Sequence, residues 1–470
     1  MISESVVAAY LAASLALGAV FKSKADTIEG FLVANREIGD WLLAFTFGAT
    51  YFSSVVIVVG GAWAYMWGQP SLLIPLFNVV LGALATFMLL GRRINTLSLE
   101  HNALTVPELF GRIYSSRGLQ RLLGLMAAVG LTLYAATVIS GAAAMVGTVF
   151  HVNLAAAAFV IAAIMAVYVA LGGMYSVAWT DTLQGVIVAA GVAVLLAFSL
   201  GHAGGLAALE NAKPALPPSK INLRLIFDLA LLTSIAVWGL PQLVNRFYTA
   251  RGPRVVRRAT GIATLFAFIV TYGSFLSGLA AAVILQSHPP SDPLKAIPAL
   301  ASIVMGPVGA AMFSAAVLAA AMSTADSIAL TVGSAVIYDV LGVRDTRALR
   351  AASFLSMIVA AGIAVATLSL PKELASAVTT IFKTGWTLTA GAFLVPVVAT
   401  VMGARSRAAV VASSLVGALV ALAYGASRAA HIAAPLADLS FAVTIAASLA
   451  AYIAASIAAP CGRALSRRGA

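Results

Sequence analysis

Apolar residues come in long blocks along this chain, and polar residues gather between them. The blocks lie at about 5–21, 41–66, 71–91, 119–150, 154–173, 178–200, 224–246, 257–286, 306–338, 347–370, 373–402, 406–427 and 437–460. A spanning helix needs about 20 apolar residues, so nearly every block is long enough to cross a bilayer. Inside lipid each backbone N–H and C=O must find a partner within the chain, so the blocks are predicted to be helices or broken helices. The pattern therefore predicts an all-α polytopic membrane protein with about 13 transmembrane helices. Two blocks are interrupted: Gly60-Gly61 are expected to break the second, and Gly239 with Pro241 the seventh. These blocks open two successive groups of five (blocks 2–6 and 7–11). Interruptions at matching positions of two halves point to inverted repeats around a midplane site. Gly and Pro are also commoner in membrane helices generally, which is the competing explanation.

Composition sharpens this picture. Of 470 residues, 61% are hydrophobic and 9% are charged, against about 25% charged in soluble domains. A water-soluble enzyme and a nucleic-acid-binding domain are thereby excluded, despite a net charge of +12. The basic residues work as topology signals instead. With thirteen helices and the N-terminus outside, 21 of the 28, Arg246 among them, fall in inside loops, six fall outside, and Lys383 lies within a block. That bias predicts a cytoplasmic C-terminus in a cell membrane. No Lys or Arg precedes the first block, and Lys22 and Lys24 follow it, so 5–21 reads as a retained helix and not a cleaved signal. A single cysteine, Cys461, excludes an intrachain disulfide or a cysteine metal site. The five histidines fall in loops or at block ends, and no zinc-protease pair, P-loop or nucleophile elbow occurs.

Polar groups at membrane depth are costly, so they are candidate sites. The richest cluster is Ala320-Ala321-Met322-Ser323-Thr324-Ala325-Asp326-Ser327, in the middle of the ninth block. Ser323 and Ser327 are spaced i,i+4, and Thr324 and Ser327 i,i+3, so these oxygens share one helix face. Hydroxyl and carbonyl oxygens suit a hard, partly dehydrated cation. Ser and Thr can equally bond back to their own helix or glue two helices together. Asp326 tips the balance towards a site, because a lone carboxylate at that depth needs a partner. Asp181, at the start of the sixth block, either faces the helix dipole beside the capping residue Thr180 or has a functional role. Trp63, Trp67, Trp238 and Trp386 lie in or beside interrupted helices, as cavity walls or interfacial anchors. Lys383 either snorkels to the surface or pairs with an acid.

Five stretches carry a family resemblance. They are residues 26–36 (Asp-Thr-Ile-Glu-Gly-Phe-Leu-Val-Ala-Asn-Arg), 104–112 (Leu-Thr-Val-Pro-Glu-Leu-Phe-Gly-Arg) and 171–184, which contains Gly172-Gly173 and Trp179-Thr180-Asp181. The others are Trp238-Gly239-Leu240-Pro241-Gln242, followed by Arg246-Phe247, and Ala321 to Ser327. In this order, over roughly residues 5–460, the chain resembles the sodium:solute symporter family. The resemblance implies a LeuT-type core of two inverted five-helix repeats. These would be residues 41–200 and 224–402, with an extra N-terminal helix at 5–21 and two C-terminal helices at 406–460, all in a single transporter domain of 1–470. It also implies a sodium site between blocks 2 and 9, formed by the carbonyls of Ala49, Phe52 and Ala320 and the hydroxyls of Ser323 and Thr324. Some members of the family have a second sodium site, and the matching positions here are Asp181, Asp326 and Ser327. These are expected to hold a second cation or share a proton and relay the ion inwards.

The expected function is sodium-coupled symport of a small organic solute by alternating access, with Na+ as coupling ion. Proline-type members carry an acid two residues past the position of Ala49, where this chain has Tyr51. Sugar-type members place a Tyr before the Trp-Gly pair, where this chain has Val237. The solute is left as an amino acid such as proline, or a carboxylate such as pantothenate. Gly60, Gly61, Trp63, Trp238 and Gln242 are the candidate cavity wall. The rivals are a proton-coupled symporter using Asp326 or Asp181, and a transporter-like sensor, which predicts a long soluble domain where only about ten residues follow the last block. A membrane enzyme would need acid or histidine clusters at one membrane face. The bilayer and the solute are the only partners expected, with no nucleic acid and no obligate protein.

Overall fold

A computed structural model describes residues 12–150, 152–368, 374–430 and 432–466, with the side chains at 144, 145, 148–150, 211, 374–377 and 459–466 left aside. Among the described residues there is no strand, and one isolated bridge joins Ile38 to Ala250. The helices that matter below are α1 (Asp40–Tyr51), α2 (Gly60–Trp67), α3 (Arg117–Phe150), α4 (Leu154–Ala203), α5 (Leu223–Ile235), α6 (Arg246–Thr249), α7 (Pro253–Ile284), α8 (Ala296–Ser334), α9 (Thr346–Leu368), α10 (Leu374–Val401), α11 (Arg407–Ala429) and α12 (Ser440–Ser466). Nine helices among the described residues are long and apolar enough to span a membrane, and two bent pairs bring the count to eleven. One of the nine, α4, has 50 residues. Straight, it would be about 75 Å long, against a hydrocarbon core of about 30 Å. It is broken at Gly173, whose φ of 53° and ψ of −149° are non-helical. A Cβ there would stand 2.9 Å from the Phe31 carbonyl, so glycine serves both the left-handed backbone and the close approach. The expected blocks 5 and 6 are the two arms of α4. The expected helix at 5–21 begins outside the described residues, which are helical from 12 to 20.

The two interruptions divide. Gly239 and Pro241 fall at the expected break, where Leu223–Trp238 and Pro241–Thr249 meet at 47°. The second block also bends, by 56°, but between Tyr51 and Val55. Gly60 and Gly61 lie inside the helical run past that bend, so the expectation that they break it is corrected. Their role is close packing: a Cβ on Gly60 would meet the Phe275 ring at 2.8 Å, and one on Gly61 the Ile297 side chain at 2.5 Å. Small residues let helix backbones approach where no hydrophobic drive separates helix from lipid.

Packing places α8 against α4, α3 and α1, and α1 against α4 and α7. At the rim α11 packs on α10 and α12. There Ser413 and Ser448 hydroxyls lie 2.8 Å apart, and Ser414 donates to the Ala392 carbonyl at 2.7 Å, the polar glue expected between helices in lipid. A short helix outside the spans, Val106–Ile113, starts with a reciprocal cap. The Glu108 amide donates to Thr105 Oγ1 at 3.1 Å, and Glu108 Oε2 accepts from the Leu104 amide at 2.8 Å. Burial of Arg112 works against its charge, but its hydrogen bond and ion pair with Glu108 more than offset this and raise its pKa.

Candidate functional site

The last carbonyls of a helix have no partner within it and carry its negative dipole end. The 56° bend exposes such an end in the protein interior, because α1 stops at Tyr51 and Phe52 leaves the helical region at φ −100°, ψ 89°. Helix α8 runs past and presents its hydroxyls. Ser323 Oγ donates to the Ala49 carbonyl at 2.9 Å and to Ala320 O at 3.1 Å. Thr324 Oγ1 lies 3.1 Å from Thr50 O, 3.2 Å from Ala320 O and 3.4 Å from Ala49 O. Four of the five expected ligands, Ala49, Ala320, Ser323 and Thr324, thus form one buried oxygen cluster. Phe52 stands at the break beside it. Thr50 O joins the cluster, and only the position of the break could have announced it. Each hydroxyl can turn its hydrogen aside and offer a lone pair, so the cluster fits a dehydrated monovalent cation.

Asp181, Asp326 and Ser327 meet one helix turn deeper along α8, around a residue that the sequence reading counted among the loop charges. Arg246 is fully buried. Its Nη2 lies 3.1 Å from Asp181 Oδ2 and donates to Thr50 Oγ1 at 2.9 Å and to Ser327 Oγ; Nη1 lies 2.8 Å from Met174 Sδ. Thr46, one turn before Thr50 on α1, also donates to Asp181 Oδ2. Ser327 donates to Asp326 Oδ1 at 3.2 Å, and Tyr168 to Asp326 Oδ2 at 3.0 Å. The expected inside count therefore loses Arg246, which leaves twenty against six. Thr46, Thr50 and Tyr168 had a readable signal in hindsight, since the two threonines are i,i+4 on an intramembrane helix. The capping explanation of Asp181 fails: it sits two turns past the Gly173 break, and Thr180 Oγ1 bonds back to Ser176 O at 2.9 Å. Two carboxylates and one guanidinium leave this buried network one negative charge over when both acids are ionised. Such an excess at membrane depth calls for a cation or a proton.

A narrow cavity of about 10 Å³ lies beside the bend, lined by Tyr51, Ser53, Gly60, Trp63, Asn78, Tyr134, Thr233 and Trp386 with apolar neighbours. Tyr51 donates to Thr233 O at 2.6 Å and thereby ties the α1 end to α5. Gly82 makes room for it, since a Cβ there would stand 1.9 Å from the Tyr51 hydroxyl. Tyr134 and Trp386 meet edge to face at 5.3 Å. Of the five candidate wall residues, Gly60 and Trp63 line this cavity. Gly61 packs on Ile297, Trp238 Nε1 donates to Leu81 O at 3.0 Å, and Gln242 is buried elsewhere. Ser53, Val55 and Val56 bring the start of the second half-helix to the cavity.

Lys383 pairs with a buried acid and does not snorkel. Its Nζ lies 2.9 Å from Asp228 Oδ2. Asp228 also accepts from the Phe441 amide at 3.3 Å and the Ala442 amide at 3.0 Å, capping the start of α12.

The family model described as "Sodium:solute symporter family" matches residues 31–450. A sodium/pantothenate symporter of Haemophilus influenzae is 28% identical over 319 residues, covering 66% of this chain and 65% of that one. A sodium/proline symporter of the same organism is 26% identical over 351 residues, covering 70% and 69%. Among solved structures, a Na+-coupled sialic acid symporter in a substrate-bound outward-open state superposes with a TM-score of 0.78 at 19% identity, covering 98% of both chains. Mhp1, a nucleobase-cation-symport-1 family transporter, gives 0.58 at 15% identity, covering 91% and 93%. These likenesses show the fold, which is the LeuT-type fold of two inverted repeats.

Proposed function

This chain belongs to the sodium:solute symporter family and is a multi-pass membrane transporter, not an enzyme; from that premise we propose that it couples sodium entry to uptake of a small carboxylate-bearing solute. The observation that carries the proposal is the convergence of Ser323 and Thr324 hydroxyls on the Ala49 and Ala320 carbonyls at the broken end of α1. A cation held there joins α1 to α8, one helix of each repeat, so its binding energy is available to shift the balance between outward- and inward-open states. The Phe52 carbonyl completes the ligand set. The membrane potential adds about 2.3 kcal/mol per charge per 100 mV to the inward step.

The solute class rests on the cavity. Its lining holds hydroxyl, amide and aromatic groups, and the start of the second half-helix faces it with its positive dipole end. That end suits a carboxylate, and Trp63, Tyr134 and Trp386 suit an apolar body. An amino acid such as proline and a carboxylate such as pantothenate both carry these groups and would enter as the cavity, which has room for about one water as it stands, opens; the names of the relatives support them. Asp181, Asp326 and Ser327 form the second ion station, taking a cation or sharing a proton. The repeats are residues 41–200 and 224–402, with further helices at 5–21 and 406–460, in the cell membrane with the N-terminus outside.

The test is uptake into proteoliposomes of labelled proline, other amino acids and pantothenate, with and without an inward sodium gradient at fixed pH. Sodium-stimulated uptake of one solute, lost in Ser323→Ala/Thr324→Ala, supports the reading. Uptake that follows a proton gradient and ignores sodium overturns it. The excess negative charge around Arg246 is the observation that would then favour proton coupling through Asp181 and Asp326.

A further inference from the structure

A second concavity lies on the outer surface, at membrane depth. It is a groove of about 530 Å³ walled by Val129 and Thr132 on α3, by Val332 on α8 with Val336 just past its end, and by Leu355 and Val359 on α9. Val129, Leu355 and Val359 are about half exposed, so the groove opens sideways towards the hydrocarbon. Among the described residues that line it, Thr132 and Ser356 carry the hydroxyls and the rest are apolar, so it offers an extended apolar slot.

The face of α3 that forms one wall continues beyond the groove. Residues 117, 121, 125, 128 and 132 recur at i, i+4, i+8, i+11 and i+15, one stripe of a helix with 3.6 residues per turn. The first two are Arg117 and Arg121, both exposed, followed by Leu125 at 55% exposure. Arg121 stands about 10 Å along the axis from Ala128. Apolar slot, exposed leucine and two guanidiniums thus follow one another on a single surface. A bilayer leaflet has the same order, from acyl chain to glycerol to phosphate. A third arginine, Arg344, is directed to Glu108, 3.7 Å away, and lies over the Tyr338 ring.

We propose that this groove is a binding site for an anionic phospholipid, with an acyl chain along α3, α8 and α9 and its headgroup phosphate on Arg117 and Arg121. Guanidiniums suit the phosphate because their fork matches its oxygens. Bulk lipid wets any exposed apolar face, so the content of the proposal is headgroup selection and retention. The site touches the helix of the candidate ion site: Val332 lies five residues, or about 8 Å, beyond Ser327 along α8.

The experiment uses the full chain purified in detergent. Phosphatidylglycerol and phosphatidylcholine are titrated separately, melting is followed, and native mass spectrometry counts retained lipid. Phosphatidylglycerol is expected to bind more tightly and raise the melting temperature more. Arg117→Ala/Arg121→Ala is expected to weaken phosphatidylglycerol by about thirtyfold, taking each basic residue at its typical surface contribution, and to leave phosphatidylcholine unchanged. Ala352→Phe, which fills the slot, is expected to reduce retention of both. Equal binding of the two lipids by the native chain overturns the proposal. So does selective binding that survives in the arginine variant. Both arginines are exposed, so that variant folds whether or not the proposal holds.

Discussion

Two buried ion pairs stand out among the described residues, and they are built differently. Asp228 meets Lys383 at one oxygen, and both its oxygens accept backbone amides from the start of α12. Backbone donors cannot rotate away, so that carboxylate is fixed between three helices. Asp181 meets Arg246, Thr46 and Thr50 through a single oxygen, while Oδ1 of Asp181 and Nε of Arg246 have no hydrogen-bond partner. Its neighbours are hydroxyls, which rotate and can either donate or accept. The first arrangement fastens α5, α10 and α12 together. The second has several nearly equivalent ways to be satisfied, which is what the proposed ion station requires. A buried pair is therefore not by itself a sign of function; the character of its surrounding donors separates fastening from exchange.

The sharpest way to break this comparison is Lys383→Met. Removing one partner of a buried pair costs about 3–5 kcal/mol, so a large drop in melting temperature is expected. Asp228→Asn/Lys383→Met should recover much of it, because no buried charge remains. If Lys383→Met instead melts like the native chain yet fails to transport, the fastening role is wrong. Asp181→Asn should show the opposite split, because Asp326 still balances the Arg246 charge: near-native melting with sodium-dependent uptake reduced at least tenfold and its sodium cooperativity changed. Tyr168→Phe removes one hydrogen bond to a carboxylate, worth about 1.5–3 kcal/mol. It should therefore shift the sodium dependence of uptake by about ten- to a hundredfold. Trp238→Phe loses one neutral hydrogen bond to Leu81 O, about 0.5–1.5 kcal/mol. It should lower melting slightly and leave solute selectivity intact, since Trp238 stands outside the cavity lining.

The same contrast explains what could be read from the chain. Block lengths and loop charges were legible because the bilayer imposes them locally. Ser323, Thr324 and Asp326 were legible because polarity at depth is conspicuous against apolar neighbours. Arg246 was missed because it follows a genuine break at Gly239 and Pro241, where a chain emerging from the membrane and a chain turning within it look alike. The pairing of Lys383 with Asp228 was likewise out of reach, since 155 residues separate them and nothing local links their spacing. Gly60 and Gly61 misled for a related reason. A glycine pair marks both breaks and close packing, and only the neighbours Phe275 and Ile297 decide which. The bend itself fell at Phe52, which carries no such mark.

Arg246 has one further implication. A guanidinium keeps its proton inside a protein, so the chain carries a permanent cation on a short covalent leash within reach of Asp181. An ion that comes to rest between Asp181 and Asp326 competes with this resident for Asp181 Oδ2. The apparent affinity for the incoming ion is lowered by the fraction of time Arg246 holds the place. Release is assisted in the same measure, because the vacated carboxylate is reoccupied at once. A tethered rival of this kind keeps a buried acid from binding its passenger too well, which suits a carrier that must empty as readily as it fills.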